Sequence, residues 1–203
     1  MDVTVGRTEE GVMLGTPAAP ILETARLRLR GWRSDDVLQY SNLVGDPDTA
    51  RFITRTGKPY SSSQAWAEVA FFVGHWQMLG HGMFVVEERS SGNFLGRVGA
   101  LQPPGWPALE VGWALIPSSR GNGFATEAAQ AAISWLFQGL GLDRVISIIH
   151  PDNDASQSVA RRLGEDRTNE QFSPFGDICD VWQVTRATWS RPTAPERGFE
   201  FNE

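Results

Sequence analysis

The chain has 203 residues, enough for one compact domain with short extensions. Hydrophobic residues make up 41% and charged residues 21%, a globular balance that can bury a core. The formal net charge of −6 argues against broad nucleic-acid or membrane-surface binding, which needs a basic footprint, and mildly favours a cationic amine as partner.

Eight Trp and eleven Phe supply large apolar surfaces, for core packing first and for an aromatic-lined cleft second. Cys179 is the single cysteine, so no intrachain disulfide forms, which fits a reducing cytoplasm. Asp2, Glu9 and Glu10 mark an N-terminus without the apolar centre of a signal peptide. No apolar run approaches the roughly 20 residues of a membrane span. His75, His81 and His150 stand apart, with no zinc-type spacing, so no metal is expected.

Residues 1–20 mix Gly, Pro, Ala and charge without a period and read as a flexible leader. Leu22–Trp32 alternates Leu27 and Leu29 with Arg26, Arg28 and Arg30, the period of a half-buried strand. Ser34 and Asp35 supply a helix start, Val37, Tyr40 and Val44 follow at helical spacing, and Gly45-Asp46-Pro47 ends the helix. Ser61–Ser63 cap a longer helix with Trp66, Ala70, Val73 and Trp76 on one face, stopped by Gly80 and Gly82. Met83–Glu88 and Phe94–Leu101 flank the turn Ser90-Ser91-Gly92-Asn93 and read as an antiparallel hairpin. A stiff loop with Pro103, Pro104 and Pro107 leads to a strand over Leu109–Ile116.

A Gly-rich loop, Ser118–Gly123, opens a helix carrying Phe124, Ala128, Ala131 and Trp135. Arg144–Ile149 is a β-branched, nearly all-apolar strand of the kind found at a sheet centre. Asp154 caps a short helix with Ala155, Val159 and Leu163 on one face, ended by Gly164. Strands near Asn169–Phe175 and Val181–Thr188 flank Gly176-Asp177, and the tail from Arg191 reads like the leader. The order β-α-α-β-β-β-α-β-α-β-β gives one α/β domain over residues 21–190, with a mixed sheet. Its strand–loop–helix–strand unit must run parallel and right-handed.

Ile116–Glu127 (IPSSRGNGFATE) carries the clearest chemistry. Gly121 and Gly123 leave room for a close ligand, and backbone N–H groups at a helix start can hold a pyrophosphate, with the Thr126 hydroxyl as an added donor. The alternative is a turn that serves chain reversal only. A P-loop needs Gly-Lys-Ser/Thr, which Asn122-Gly123-Phe124 does not supply. A dinucleotide fingerprint needs a third Gly where Thr126 stands.

The segment resembles the acyl-CoA loop of GNAT acetyltransferases, Arg/Gln-x-x-Gly-x-Gly/Ala, read here as Arg120, Gly123 and Ala125. Leu22–Trp32 resembles the opening strand of the RimJ/RimL-like branch, and Glu110-Val-Gly-Trp-Ala-Leu115 resembles its fourth strand. Asn153, Ser156, Leu163 and Gly164 match its Asn-x-x-Ser and Leu-Gly positions, so the resemblance spans roughly residues 22–189. It implies a GNAT fold, a mixed sheet of about seven strands with about four helices, splayed between strands four and five. Acyl-CoA would enter there. Backbone at Trp113, Ala114, Leu115 and Ile116 would pair with the pantetheine arm. Arg120, Gly121, Asn122, Gly123, Phe124, Ala125 and Thr126 would hold the pyrophosphate. Asn153 would bind pantetheine and Arg162, with Arg161, would meet phosphates; a turn residue and a solvated helix face are the plain alternatives.

The implied reaction is direct transfer of an acetyl group from acetyl-CoA to a primary amine, a protein N-terminus or a small molecule, with no metal. An α-amine of pKa about 8 is easily deprotonated, whereas a lysine near 10.4 costs about 3 kcal/mol more. Many family members protonate the leaving thiolate with a Tyr of the fourth helix, but this chain has only Tyr40 and Tyr60, far upstream. Ser156 takes that place, unless it merely packs its helix, and Glu110 is the candidate base, unless it is a surface carboxylate at a strand start. His150 lies near the thioester position and reads as structural first. Cys179 reads as incidental. Trp66, Phe71, Phe72, Trp76 and the loop Gln102–Pro107 with Trp106 would wall the acceptor cleft. Two other functions stay open: an acyl-CoA-binding sensor or scaffold without turnover, and transfer of a larger acyl group such as succinyl, which a basic residue near the acyl pocket would support. A homodimer is left open.

Overall fold

A computed structural model describes residues 19–189. The leader lies outside these residues but for Ala19 and Pro20, and the tail from Arg191 lies wholly outside them. The described residues form strands β1 (Leu22–Glu23), β2 (Leu27–Arg30), β3 (Met83–Glu88), β4 (Phe94–Leu101), β5 (Glu110–Leu115), β6 (Arg144–Ile149), β7 (Asp166–Phe172) and β8 (Cys179–Thr185). The helices are α1 (Asp36–Gly45), α2 (Pro47–Ile53), α3 (Ser62–Leu79), α4 (Phe124–Gly139) and α5 (Asp154–Leu163). One mixed sheet runs in the order β1-β2-β3-β4-β5-β6-β8-β7, with β5 and β6 the parallel pair at its middle.

Eight strands and five helices stand where about seven and about four are expected, for two local reasons. The opening strand is broken by a tight turn. Thr24 N–H donates to Leu27 O and Leu27 N–H donates to Thr24 Oγ1, both at 2.9 Å, so β1 folds back on β2. Asp46 ends α1 but also starts α2, its Oδ2 accepting the Thr49 N–H at 2.9 Å with Pro47 in the first helical position.

Other boundaries follow the sequence reading more closely. Ser61 and Gln64 close a capping box at the start of α3, and Gly80 ends it in the left-handed region. The buried face of α3 is Ala65, Val69, Phe72, His75 and Trp76, and Trp66 is 62% exposed, so the expected Trp66–Val73 stripe is turned to solvent. Asn153, not Asp154, caps α5, and the last two strands begin two to three residues earlier than expected.

The two faces of the sheet carry separate cores. Val111 and Leu115 of β5 pack with Ile133 and Leu136 of α4, and Ala114 packs with Tyr40, Val69 and Phe72 of α1 and α3. Alternation along β5 therefore feeds both sides. Between β5 and β6 there is one bridge, Glu110 to Ile146, with Ile146 N–H donating to Leu109 O at 3.0 Å. Beyond it β5 keeps its pairing with β4 through Leu115 but, among the described residues, has no strand on its other edge. The sheet splays where the resemblance places the split.

A buried polar chain pins the apex of the splay. Ser147 Oγ lies 2.8 Å from the Val111 carbonyl and 3.0 Å from Glu165 Oε1. The single Ser147 hydroxyl proton is shared between these two acceptors, so neither contact is a full hydrogen bond. Burial pushes the Glu165 carboxyl up to about 8, against the opposing Ser147 contact. Glu165 is 3% exposed and its Oε2 has no hydrogen-bond partner among the described residues.

A raised carboxyl pKa leaves stability unpenalised below the unfolded value of 4.5, and stability is then lost progressively as pH rises from there through about 8. Glu165→Gln keeps the shape and cannot ionise. Thermal melts from pH 5 to 9 should show the variant more stable than wild type at pH 9, by on the order of a few kcal/mol, with the gap closing toward pH 5. Parallel curves across that range would mean that Glu165 is not held protonated.

Candidate active site

A cleft of about 460 Å³ opens at the splay. Glu110, Ser147, His150, Asn153, Ser156 and Cys179 all line it, although they come from β5, β6, the turn after β6, α5 and β8. The opposite wall is built by α2 and α3. Arg51 of α2 reaches Asp152 beyond β6 at 3.1 Å, and the Phe52 ring lies 5.8 Å from the His150 ring, so α2 bridges the mouth of the split.

On the α5 side, Asn153 Oδ1 accepts the Ser156 N–H at 3.1 Å. The side chain of Asn153 is thus a helix cap as well as a cleft residue. The cap sets Ser156 in the first turn of α5, and its Oγ makes no hydrogen bond within the described residues. His150 Nδ1 accepts the Asp152 N–H at 3.1 Å, which fixes the turn into α5.

On the β5 side, Glu110 Oε2 accepts the Trp106 indole N–H at 2.6 Å. Burial raises the Glu110 pKa, opposed by that hydrogen bond and by the Arg97 guanidinium. Trp106 is itself held edge-on by Phe172, with ring centroids 5.4 Å apart. Cys179 is buried and its thiol is pushed up to about 11, first by burial and then by nearby carboxylates, so it is held as a thiol and not as a nucleophile.

At the other end of β5, Gly121 and Gly123 both adopt φ of 79°, the left-handed region that a side chain resists. A Cβ on Gly121 would meet nothing within 4 Å, so the space over the loop is open. Gly123 gives the start of α4 no side-chain cap, and Thr126 Oγ1, one turn in, is buried without a partner among the described residues. Uncapped N–H groups and an orphaned hydroxyl suit an anion.

The loop is braced from behind. Glu127 accepts from Thr24 Oγ1 at 2.6 Å and from Arg26 Nε at 2.7 Å, and Arg26 Nη1 donates to Asn122 O at 3.0 Å. The Arg26 guanidinium also lies over the Phe124 ring, 4.5 Å from its centroid. Arg120 turns inward, its Nε donating to Leu115 O at 3.0 Å and its Nη2 to the Thr49 hydroxyl. Arg162 is exposed, and Arg161 is spread over the Trp182 ring and bonded to Gln157.

Among the expected wall residues, Phe71, Phe72 and Trp106 line the cleft. Trp76 does not: it is 4% exposed, bonded to Met83 O and packed on Phe84. Trp66 points to solvent. The sequence reading passed over Arg97, Tyr60, Glu68 and Phe175, which do line the cleft. An arginine in the middle of the otherwise apolar strand Phe94–Leu101 was the available signal for Arg97. Among the described residues no group of three or more His, Cys, Asp or Glu gathers in a way that could hold a metal ion. No helix among them is long and apolar enough to cross a membrane.

The family described as Acetyltransferase (GNAT) domain matches residues 26–165. The uncharacterised N-acetyltransferase YoaA of Bacillus subtilis is 29% identical over 147 residues, 71% of this chain and 82% of YoaA. A crystal structure of an acetyltransferase from Agrobacterium tumefaciens superposes with a TM-score of 0.74 and 28% identity, over 89% of this chain and all of that one. Spermidine N-acetyltransferase from Vibrio cholerae, solved with CoA and spermine, shares the fold at 20% identity and a TM-score of 0.66, over 82% of this chain and 99% of its own.

The Trp106 hydrogen bond stabilises the ionised form of Glu110, against the burial that destabilises it. Trp106→Phe removes the donor and keeps most of the ring. The Glu110 carboxyl, followed by carbon NMR, should then titrate at higher pH than in the wild type. An unchanged or lower midpoint would show that Trp106 does not hold the carboxylate.

Proposed function

Because this chain belongs to the GNAT acetyltransferase family, we propose that it transfers an acetyl group from acetyl-CoA directly to a primary amine, a protein N-terminus or a small molecule. The observation that carries this reading is the convergence of Glu110 and Ser156 on one cleft at the mouth of the strand split. Acetyl-CoA supplies an acyl thioester, a carbonyl carbon for the amine to attack and a thiolate to depart.

The residues of this chain do the rest. The open edge of β5 after Val111, at Gly112 and Trp113 through Ile116, offers backbone donors and acceptors to an amide-bearing arm. The Gly121–Ala125 amides, the Thr126 hydroxyl and the start of α4 take the pyrophosphate, and Arg120 shapes that loop from within. The Asn153 side chain both caps α5 and faces the cleft.

Glu110, ionised, takes the ammonium proton, directly or through one water. The nitrogen lone pair then forms the C–N bond as the C–S bond breaks, and the second proton that the nitrogen sheds on becoming an amide passes to solvent. Ser156 donates its hydroxyl hydrogen bond to the sulfur as charge builds there and gives up the proton, which solvent replaces. A thiol held neutral at Cys179 fits direct transfer in place of an acyl-cysteine, and it also fits a reducing cytoplasm.

The loop assignment has a charge-only test. Asn tolerates the left-handed region, so Gly121→Asn and Gly121→Asp differ in charge and hardly in shape. Calorimetry should find CoA at least about tenfold weaker on the Asp variant, about 1.4 kcal/mol. Equal affinities would remove the pyrophosphate from this loop.

The two catalytic roles separate in the pH–rate profile. Ser156→Ala should lower kcat roughly ten- to a thousandfold with little change in acetyl-CoA affinity. Glu110 works only when ionised, and burial places its titration above the usual carboxylate range, so the wild-type rate should climb as pH rises through that value. Glu110→Gln should lose this limb and recover part of the rate at high pH, where the amine is already neutral. Full turnover in Ser156→Ala, or an unaltered acid limb in Glu110→Gln, would reject the corresponding role.

A further inference from the structure

Arg97 lies in the middle of β4, paired across the sheet with Ala114, and its side chain lines the cleft at 7% exposure. Its Nε donates to the Tyr40 hydroxyl at 3.2 Å and its Nη1 to the Met83 sulfur at 3.3 Å. The Phe72 ring covers one face, 5.2 Å from the guanidinium carbon to the ring centroid. All three contacts are to uncharged groups. A guanidinium has five N–H donors, and Nη2 has no partner among the described residues.

Two carboxylates are close enough for their charge to be felt, but neither forms an ion pair with Arg97. Glu68 accepts the Tyr40 hydroxyl at 2.6 Å and Glu110 accepts the Trp106 indole at 2.6 Å. The same fold shows how it treats a buried arginine whose role is structural. Arg30, 5% exposed, has Asp36 at 2.7 Å and Glu87 at 2.6 Å. A buried cation without such partners is destabilising relative to an apolar side chain, so folding does not explain why Arg97 stands in the wall of an open cleft.

We propose that Arg97 is the anchor for a carboxylate on the acceptor, so that the amine acetylated here belongs to an amino-acid-like molecule whose carboxylate meets Arg97 and whose amine meets Glu110. This rests on the acetyltransferase reading of the cleft. Arg97 and Glu110 stand on the same face of the sheet, the one packed with Tyr40, Met83 and Phe72, whereas the split that admits the acyl donor lies on the far edge of β5 from β4. The geometry therefore gives the carboxylate to the acceptor. A guanidinium fork matches a carboxylate in two parallel hydrogen bonds, which an ammonium does not reproduce.

The test uses product binding, which needs no turnover. Calorimetry on the CoA-loaded protein compares N-acetyl α-, β- and γ-amino acids with their methyl esters. At least one free acid should bind about tenfold more tightly than its ester. Arg97→Met should abolish that preference while melting at or above the wild-type temperature. Arg97→Lys, which keeps the charge near Glu110, should lose most of it. No Arg97-dependent preference in any pair, including no binding at all, overturns the proposal. So does a preference that Arg97→Lys retains in full, which would reduce Arg97 to a nearby charge. Tighter binding of succinyl-CoA than acetyl-CoA that depends on Arg97 would move the carboxylate to the acyl donor and also overturn the acceptor assignment. Failure of the acetyltransferase reading shows elsewhere, as no CoA thiol released with any amine.

Discussion

Two parallel strands that meet at one bridge and then part set up the rest of this molecule. β5 and β6 touch at Glu110 and Ile146, and Ser147 holds the Val111 carbonyl just past that point. A strand edge near the centre of a sheet cannot stay unpaired without cost, because each buried N–H and C=O must find a partner. The free edge of β5 is therefore a standing demand for a strand-like ligand, and the proposed acyl-pantetheine arm carries amides of the kind that would meet it. The residues proposed for chemistry sit at this place because the sheet opens there: Glu110 at the bridge itself, and Ser156 one capped helical turn after β6.

The buried charges sort by whether the fold or the cleft needs them. Arg30, Asp36 and Glu87 form a closed set, with every charge answered by protein, and the arginine's pKa is raised accordingly despite burial. Glu165 avoids its charge by staying protonated. Arg97 and Glu110 do neither. Each has only neutral hydrogen-bonding partners, Tyr40 and Met83 for Arg97 and Trp106 for Glu110, and faces the cleft with an incomplete shell. Incomplete shells at an open cavity are where a ligand gains most, since the cost of desolvating the protein group has already been met by folding.

Much of this was legible in the sequence where one signal had one meaning. The Gly-rich loop before α4, the apolar run Arg144–Ile149 and the Leu163-Gly164 helix end each lie where the pattern put them. The misses come where one signal carried two meanings. Thr24 looked like a polar position in an alternating strand, but its hydroxyl closes a turn with Leu27 that only the fold-back of β1 reveals. Asp46-Pro47 stops one helix and starts the next. On α3 apolar residues occur nearly all round, so periodicity could not say which face was buried; Trp66 and Val73 went to solvent and Phe72 and His75 to the core. Arg97 stood out in the sequence only as a charge inside an apolar strand; that its partners are all neutral is visible only in the fold.

α2, the element that periodicity missed, joins the two ends of the cleft. Its cap residue Asp46 accepts from Thr49, and the Thr49 hydroxyl meets Arg120 of the Gly-rich loop. Its other end carries Arg51 and Phe52 over the split toward Asp152 and His150. The Arg51–Asp152 pair is exposed on both sides and is worth about 0–1 kcal/mol at most. At the other end of α2, the Arg120 guanidinium that meets Thr49 also holds the last carbonyl of β5. The open edge of β5, the Gly-rich loop and α2 thus meet in one side chain, because Arg120 enters that loop and reaches both Leu115 O and the Thr49 hydroxyl.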